Sequence, residues 1–312
     1  RITEVREELK KALTGEPGDI SLGKALRSAT ELDVLSIDKS AVKSDPQIID
    51  LVTRSKRAAH EAESRGDVFA AYELFSLLGT LNEESGEFKP DVRRLSHRLD
   101  MIRLYVPETL WKLRNERQKA AGEKELPPYN PFGDDYKTKL GTIDKAMLLR
   151  AVGRTTTHVE RQPVNVVIAG GLESLRTMIT TKDLSGAFAK LAEPAARDAM
   201  VAAIDEETRK LAEANREPDV AQLDALLERL MGVNDATTQV AAFAMLHEFG
   251  NGAMGKLDEF SAIIWPDELR RFNKMTQSSF VGVGIQIEYD ETSNVRVVSP
   301  LEGTPAQRAG VH

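Results

Sequence analysis

The sequence has no cysteine, and this absence excludes disulfide bridges, thiolate zinc sites and cysteine nucleophiles. It also has no apolar run near the roughly 18 residues that a membrane-spanning helix needs, so no integral membrane segment is expected. The opening stretch RITEVREELKKAL lacks the pattern of a signal peptide. The residues alone therefore do not place the protein in a compartment.

An excess of positive charge is missing as well. The 312 residues include 42 Lys and Arg against 49 Asp and Glu, which gives a formal net charge of −7. A nucleic-acid partner is not expected, because neutralising phosphates requires clustered basic residues. Hydrophobic residues make up 41% and charged residues 29% of the chain, which is the balance of an ordinary globular protein. The length allows two or three domains.

What the sequence does contain is mostly helical periodicity. We predict a helical domain over residues 1–121, a linker rich in proline and glycine over 122–135, and a second helical region over 136–277. Residues 278–312 are rich in Gly, Val and Ile and alternate as strands do. The predicted fold class is therefore mainly α, with a short α/β segment at the end of the sequence.

Several residues predict where helices begin and end. Asp45 stands before Pro46 as an N-cap stands before the first helical residue. Gly66 and Asp67 interrupt the pattern before a second helix, so a helix–turn–helix is predicted. It is interpreted either as a tetratricopeptide-like hairpin or as part of a plain bundle, and the bundle is favoured because repeat folds need several units. Pro107 is expected to end or kink the helix before it.

The second helical region contains two further periodic segments. One predicted helix carries four leucines at helical spacing and ends at Gly232, where a C-terminal cap belongs. The leucines are Leu223, Leu226, Leu227 and Leu230. The next predicted helix has an apolar stripe formed by Val240, Phe243, Ala244 and His247.

Stretches that resemble catalytic or cofactor motifs are incomplete. HEFGN begins like a zinc-protease helix at His247, but Asn251 stands where the second histidine ligand belongs. His247 is therefore predicted to be a partly buried helix residue. VVIAGGLESL lacks a phosphate-binding pattern, so Gly170 and Gly171 are interpreted as a turn or a close helix contact. No metal, cofactor or catalytic residue is predicted.

The stretch VGVGIQIEY predicts a strand, because Val283, Ile285 and Ile287 alternate with glycine and polar residues. DETSN predicts a polar turn, and VRVVSP predicts a second strand. GTPAQRAGV predicts a short helix, with Thr304 as its N-cap and Gly310 as its stop.

Gly282 and Gly284 flank Val283, and this spacing has two interpretations. The glycines can allow φ > 0 and turn several N–H groups toward one point, which forms a nest for a carboxylate. They can also merely shape a tight hairpin. In the first case these three residues bind the C-terminal carboxylate of a peptide, while the strand with Ile285 and Ile287 pairs with the peptide and forms side-chain pockets.

The glycine loop, the two strands and SPLEGTPAQRAGV together resemble the first part of a PDZ domain, in the permuted form found in bacterial proteases. The preceding segment is similar to the region before the PDZ domain in the C-terminal processing, or tail-specific, serine peptidases. This resemblance covers residues 252–311, and 278–312 then form the start of an incomplete PDZ domain. The matching positions before the loop are Leu257, Asp258, Ser261, Ile263, Ile264, Pro266, Glu268 and Phe280.

The resemblance implies the non-catalytic substrate-recognition and scaffold part of an endopeptidase that binds protein C-termini through its PDZ domain. In that family the catalytic Ser and its Lys base lie beyond the PDZ domain, so no catalytic residue is assigned within residues 1–312. Ser261 is accordingly not expected to be a nucleophile. The family also implies a bacterial, extracytoplasmic (periplasmic) setting.

Two further hypotheses concern partners. The alternative to a peptidase is a non-enzymatic helical and PDZ scaffold that recruits partners by their C-termini. In either case the helices can form a homodimer through their exposed faces.

Overall fold

The computed structural model describes residues 1–14, 18–131, 135–158, 162–258, 260–269, 272, 282–289 and 295–311. Within these residues the protein is mainly α-helical and has one small antiparallel sheet near its C-terminal end, which confirms the predicted fold class. The chain divides into two compact units, Arg1–Ala262 and Ile263–His312. The four-part division drawn from the sequence stays a prediction.

The helices of the first unit follow one another with mostly short connections. Those before residue 122 are Ile2–Thr14 (α1), Asp19–Leu35 (α2), Lys39–Lys43 (α3), Pro46–Arg65 (α4), Val68–Leu81 (α5), Lys89–Tyr105 (α6) and Pro107–Ala121 (α7). Those after it are Tyr136–Leu140 (α8), Lys145–Thr155 (α9), Val164–Thr180 (α10), Pro194–Glu213 (α11), Val220–Ala236 (α12) and Ala242–Met254 (α13). Short 3-10 helices lie at Glu83–Ser85, Lys182–Gly186 and Ala189–Ala192.

Local chemistry sets the helix ends that the sequence predicts. Asp45 accepts a hydrogen bond from an N–H of the first turn of α4, and Pro46 opens that helix. Gly66 ends α4 at a φ of +87°, a conformation that favours glycine. Asp67 then caps α5 in the same way. Pro107 opens α7, so the predicted break at this proline is confirmed.

Two predicted helix ends were wrong. Helix α12 continues through Gly232 to Ala236, because an interior glycine costs only about 1 kcal/mol and the buried leucines around it offset that cost. Val240 lies before α13, which begins at Ala242. The side-chain amide of Asn234 binds both the N–H and the C=O of Val240, each at 2.9 Å. These two bonds hold Val240 in the connection between the helices.

Helix α5 is central to the first half of this unit. Its side chains Leu74, Phe75 and Leu78 are fully buried, and it packs against α2, α4 and α6. Burial of large apolar side chains is the main stabilising contribution in such a core. The pair α4 and α5 forms the predicted helix–turn–helix.

Helices α10 and α13 approach each other closely because glycines line their contact. A Cβ added to Gly170 would lie 2.4 Å from the Gly252 carbonyl oxygen, and a Cβ on Gly252 would lie 2.4 Å from the Gly170 carbonyl oxygen. A Cβ on Gly171 would lie 2.5 Å from the ring of Phe249. Of the two interpretations of Gly170 and Gly171, the close helix contact is confirmed.

The second unit contains a β-hairpin followed by a short helix, in the predicted order. Ile285 lies opposite Pro300 and Gln286 lies opposite Ser299, and a bulge after the second pair leaves Val298 as an extra residue in the second strand. The predicted turn at residues 290–294 lies outside the described residues. The elements are β1 (Ile285–Tyr289), β2 (Val295–Pro300), which is antiparallel to β1, and the helix Pro305–Arg308.

Candidate functional site

The loop before β1 is shaped by Gly284, which has a φ of +79°. A Cβ at this position would lie 2.2 Å from the Cβ of Thr304, so both the backbone conformation and the space require glycine. Gly282 differs, because no heavy atom lies within 4 Å of the place where its Cβ would be. Of the two glycines predicted to shape the loop, the backbone path depends on Gly284.

Backbone hydrogen bonds fix the direction of this loop. The Ala306 N–H donates to the Val283 carbonyl, and the Leu301 N–H donates to the Gly284 carbonyl, both at 2.8 Å. In a trans peptide unit the N–H points opposite to the preceding C=O. The N–H groups of Gly284 and Ile285 therefore point away from the segment that supplies these donors. Neither N–H has an acceptor within the described part of the chain.

The sequence predicts the position of Thr304 at the start of the short helix correctly, but it does not predict what the Thr304 side chain binds. It occupies the N-cap position of the short helix, but its side chain caps no helix N–H. Its hydroxyl instead bonds the Gly284 carbonyl oxygen at 3.1 Å. Thr304 thereby anchors the loop from 20 residues away, and the spacing in the sequence gives no signal for such a contact.

Strand β1 presents a free backbone edge beside this loop. Ile285 faces Pro300, whose nitrogen cannot donate, so this is a non-hydrogen-bonded pair of the antiparallel ladder. The N–H and C=O of Ile285 therefore point to the side of β1 that faces away from β2. Among the residues that the structure describes, no strand pairs with that side. An edge of this kind can receive an extended peptide by main-chain hydrogen bonds.

Apolar side chains lie next to the free edge. Val283 is 57% exposed and Ile287 is 54% exposed, whereas Ile285 is half-buried. The extra residue of the bulge belongs to β2, so Ile285 and Ile287 keep the alternation of a regular strand and share one face. The structure thus brings together all five residues predicted for the peptide site, from Gly282 to Ile285 and Ile287.

A buried carboxylate forms a separate polar cluster in the first unit. Glu248 on α13 is only 3% exposed, and the Tyr105 hydroxyl donates to its Oε1 at 2.8 Å. His247 Nδ1 lies 2.9 Å from the same oxygen, and His97 Nε2 lies 3.5 Å from Oε2. Burial acts to raise the pKa of Glu248, but the hydrogen bonds from His247, His97 and Tyr105 lower it to about 2.

This cluster does not have the geometry of a hydrolase triad. Ser174 Oγ lies 3.3 Å from His97 Nε2, which is also the ring nitrogen nearest to Glu248. A triad places the serine and the carboxylate on opposite nitrogens of the imidazole. Ser174 is also 2% exposed, so no substrate reaches its hydroxyl. His247 is a buried helix residue, and the cluster joins α6, α10 and α13 as part of the core.

A second group of serine, histidine and carboxylate side chains joins the segment after α13, which contains Asp258 and Ser261, to His158, which follows α9. Ser261 Oγ is 3.0 Å from His158 Nε2 and 3.0 Å from Asp258 Oδ2, and the latter two atoms are 3.3 Å apart. Serine and carboxylate again meet the same ring nitrogen, unlike the members of a triad. Asp258 also accepts a hydrogen bond from the Phe260 N–H at 2.7 Å. The group fixes a turn, and we assign it no catalytic role.

The described residues contain no group of three or more His, Asp or Glu side chains that could hold a metal ion. They also contain no helix with both the length and the apolar character needed to cross a membrane. Comparison with known proteins found no matching family model, no matching curated protein and no matching solved structure.

Proposed function

We propose that the loop Gly282–Gly284 binds the free C-terminal carboxylate of a polypeptide, whose last residues pair with the free edge of β1. The observation that carries this proposal is the outward direction of the Gly284 and Ile285 N–H groups, which lie beside that edge. Hydrogen bonds from backbone N–H groups to a carboxylate are charge-assisted and stronger than bonds between neutral groups. A terminal carboxylate therefore gains more at this loop than an internal peptide carbonyl does.

The side chains beside the edge favour an apolar C-terminal residue. Val283 and Ile287 are more than half exposed, and a bound peptide would remove part of this apolar surface from water. An extended peptide places alternate side chains on the same face as Ile285 and Ile287. Main-chain pairing then supplies affinity, and these side chains supply selectivity.

In the wider protein we propose the role that the resemblance implies, a tail-specific serine endopeptidase of the bacterial periplasm. The present chain is its substrate-recognition and scaffold part, and it delivers captured C-termini to a Ser-Lys site elsewhere in the protein. A lysine serves as the base in such a site because burial lowers its pKa and leaves a neutral amine. Support for this role comes from the matching positions at residues 252–311 and from the order of strand, strand and short helix.

The loop can be tested by replacing Gly284 with alanine. We expect the affinity for a fluorescent peptide with a free apolar C-terminus to fall by about tenfold or more, because the new Cβ would displace Thr304 and turn the N–H groups aside. Gly303→Ala is the matched control, since Gly303 also has a positive φ, +73°, but no atom within 4 Å of the added Cβ. Fluorescence anisotropy measures both variants. If the two variants lose affinity equally, Gly284 is not part of the binding site.

Capture of the carboxylate is tested by replacing the C-terminal carboxylate of the peptide with an amide. The same peptide with an amidated C-terminus is expected to bind about tenfold more weakly, because the charge-assisted hydrogen bonds are lost. Equal binding of the two peptides would rule out carboxylate capture.

Cleavage of the free peptide by the complete gene product, abolished by Ser→Ala at its nucleophile, tests the peptidase role. Binding without cleavage would instead identify a scaffold.

A further inference from the structure

A groove in the first unit lies over the one face of α5 that the core does not cover. It has a volume of about 400 Å³ and is bordered by α2, α6 and α7. On α5, Phe69, Tyr72 and Leu77 follow at helical spacing and remain partly exposed. Leu99 and Leu110 complete an apolar floor. This floor is independent of the hairpin and of the buried Glu248 cluster.

The rim of this groove is basic, although the protein as a whole carries a net charge of −7. Lys24 and Arg27 extend from α2, Arg103 from α6, and Arg114 and Arg117 from α7. The acidic side chains at the groove are Glu73 and Glu123. Arg103 also pairs with Asp100, 2.8 Å away on the same helix. Five cations against three carboxylates leave a local formal charge of +2, opposite in sign to the rest of the molecule.

Much of this positive charge is not neutralised inside the protein. Glu73 is shared by Arg27 and Arg117, so two guanidinium groups face one carboxylate. Lys24 donates to the neutral Ala121 carbonyl at 2.9 Å. Arg114 is exposed and has no carboxylate partner within the described residues. The rim therefore retains donors and charge for an anionic ligand.

We propose that this groove binds a short acidic segment of a partner polypeptide that also carries apolar side chains. The floor takes the apolar side chains, and the cations on the two walls pair with carboxylates. The cations lie on both sides of α5 and at separate points, which matches a chain with several carboxylates better than a ligand with a single charged end. From Phe69 to Leu77 the floor is about 12 Å long, enough for roughly four residues of extended chain.

The proposal is tested with the 312-residue chain and a short fluorescent peptide of leucine and glutamate. The peptide is acetylated and its C-terminus is amidated, so that carboxylate capture by the hairpin loop does not contribute. We expect saturable binding that weakens as salt is added, because exposed charges are screened. A peptide with glutamine in place of glutamate is expected to bind about tenfold more weakly. Equal affinity of the two peptides, or no binding of the acidic one, overturns the proposal.

Charge reversal on the rim locates the binding. Arg103→Glu combined with Arg114→Glu is expected to weaken binding of the acidic peptide by about tenfold or more. Lys39→Glu combined with Arg216→Glu changes the net charge by the same amount at exposed positions outside the groove, and binding is expected to stay within about twofold. Thermal unfolding by circular dichroism checks that both double variants fold. Equal losses of peptide affinity in the two double variants would mean that binding depends on net charge alone. This result would overturn the proposed site.

A vesicle experiment separates the peptide from a lipid surface. Vesicles of phosphatidylglycerol and phosphatidylcholine are offered to the same variants in a sedimentation assay. The proposal expects no sedimentation that depends on Arg103 and Arg114. If the vesicles bind through these arginines while the acidic peptide does not bind, the groove recognises an anionic membrane and the peptide proposal is wrong.

Discussion

Replacing Gly252 by alanine is expected to lower the free energy of unfolding by about 3 kcal/mol. The added Cβ would lie 2.4 Å from the Gly170 carbonyl oxygen and 2.4 Å from the Ser174 Cβ. These atoms belong to the backbone and the first side-chain carbon of α10, so they cannot move aside as the end of a flexible side chain does. Relief requires α10 and α13 to separate, which opens space around Phe249 and weakens the core.

Gly232→Ala is the matched control for this prediction. The chemical change is the same and the position is also inside a helix, but no heavy atom lies within 4 Å of the added Cβ. Alanine is expected to raise the free energy of unfolding there by about 0.5–1 kcal/mol, because it loses less backbone entropy than glycine on folding. Urea denaturation followed by far-UV circular dichroism measures both variants. A destabilisation below about 1 kcal/mol at Gly252 would contradict the close packing of the two helices.

The two glycines also show what the sequence alone can predict. Asp45, Asp67 and Pro107 set helix boundaries through atoms within one turn, so a single sequence is enough to place those boundaries. The helix end predicted at Gly232 was wrong because glycine marks a helix end only where the chain turns to positive φ. The sequence left two interpretations of Gly170 because its contact depends on Gly252, 82 residues later. Helix packing of this kind has no local signature.

The candidate site likewise combines local features that the sequence predicts with long-range contacts that it does not. The alternation of Ile285 and Ile287 and the strand VRVVSP are local patterns, and the structure has a strand at each, although β1 begins at Ile285 and leaves Val283 in the loop before it. The anchoring of Gly284 by Thr304 is not local, and neither is the pairing of Ile285 with Pro300 that turns its N–H outward. In the first unit, the motif HEFGN suggested a possible role for His247. The residue at the centre of the buried polar cluster is its neighbour Glu248. Its partners Tyr105 and His97 lie on a helix more than 140 residues earlier in the chain.

Replacing Glu248 by glutamine is expected to lower the free energy of unfolding by about 3 kcal/mol near neutral pH and by much less near pH 2. The pKa of Glu248 falls from 4.5, the value of an unperturbed side chain, to about 2 in the folded protein. A carboxyl group with a depressed pKa stabilises the folded state above its unfolded pKa. This contribution is lost as the pH falls from about 5 to about 2. Glutamine has nearly the same shape but no charge, so the variant lacks this contribution at every pH.

Urea denaturation of both proteins across this pH range measures the effect, and Glu116→Gln provides the control. Glu116 lies on the exposed surface of α7, where loss of one charge is expected to change the stability by less than about 0.5 kcal/mol. The wild-type protein and Glu248→Gln should converge in stability at the acid end of the series. A gap of the same size at neutral and acid pH would mean that Glu248 is not the group that titrates.

Tyr105→Phe separates the charge of Glu248 from the hydrogen bonds that keep it ionised. The variant removes the donor that lies 2.8 Å from Oε1 and leaves His247 and His97 in place. Loss of a hydrogen bond to the charged form raises the pKa of a carboxyl group, so the acid transition of stability should begin at a higher pH. The variant is also expected to cost about 1.5–3 kcal/mol near neutral pH, the range for a hydrogen bond to a charged group. An unchanged transition would show that the two histidines alone hold the carboxylate ionised.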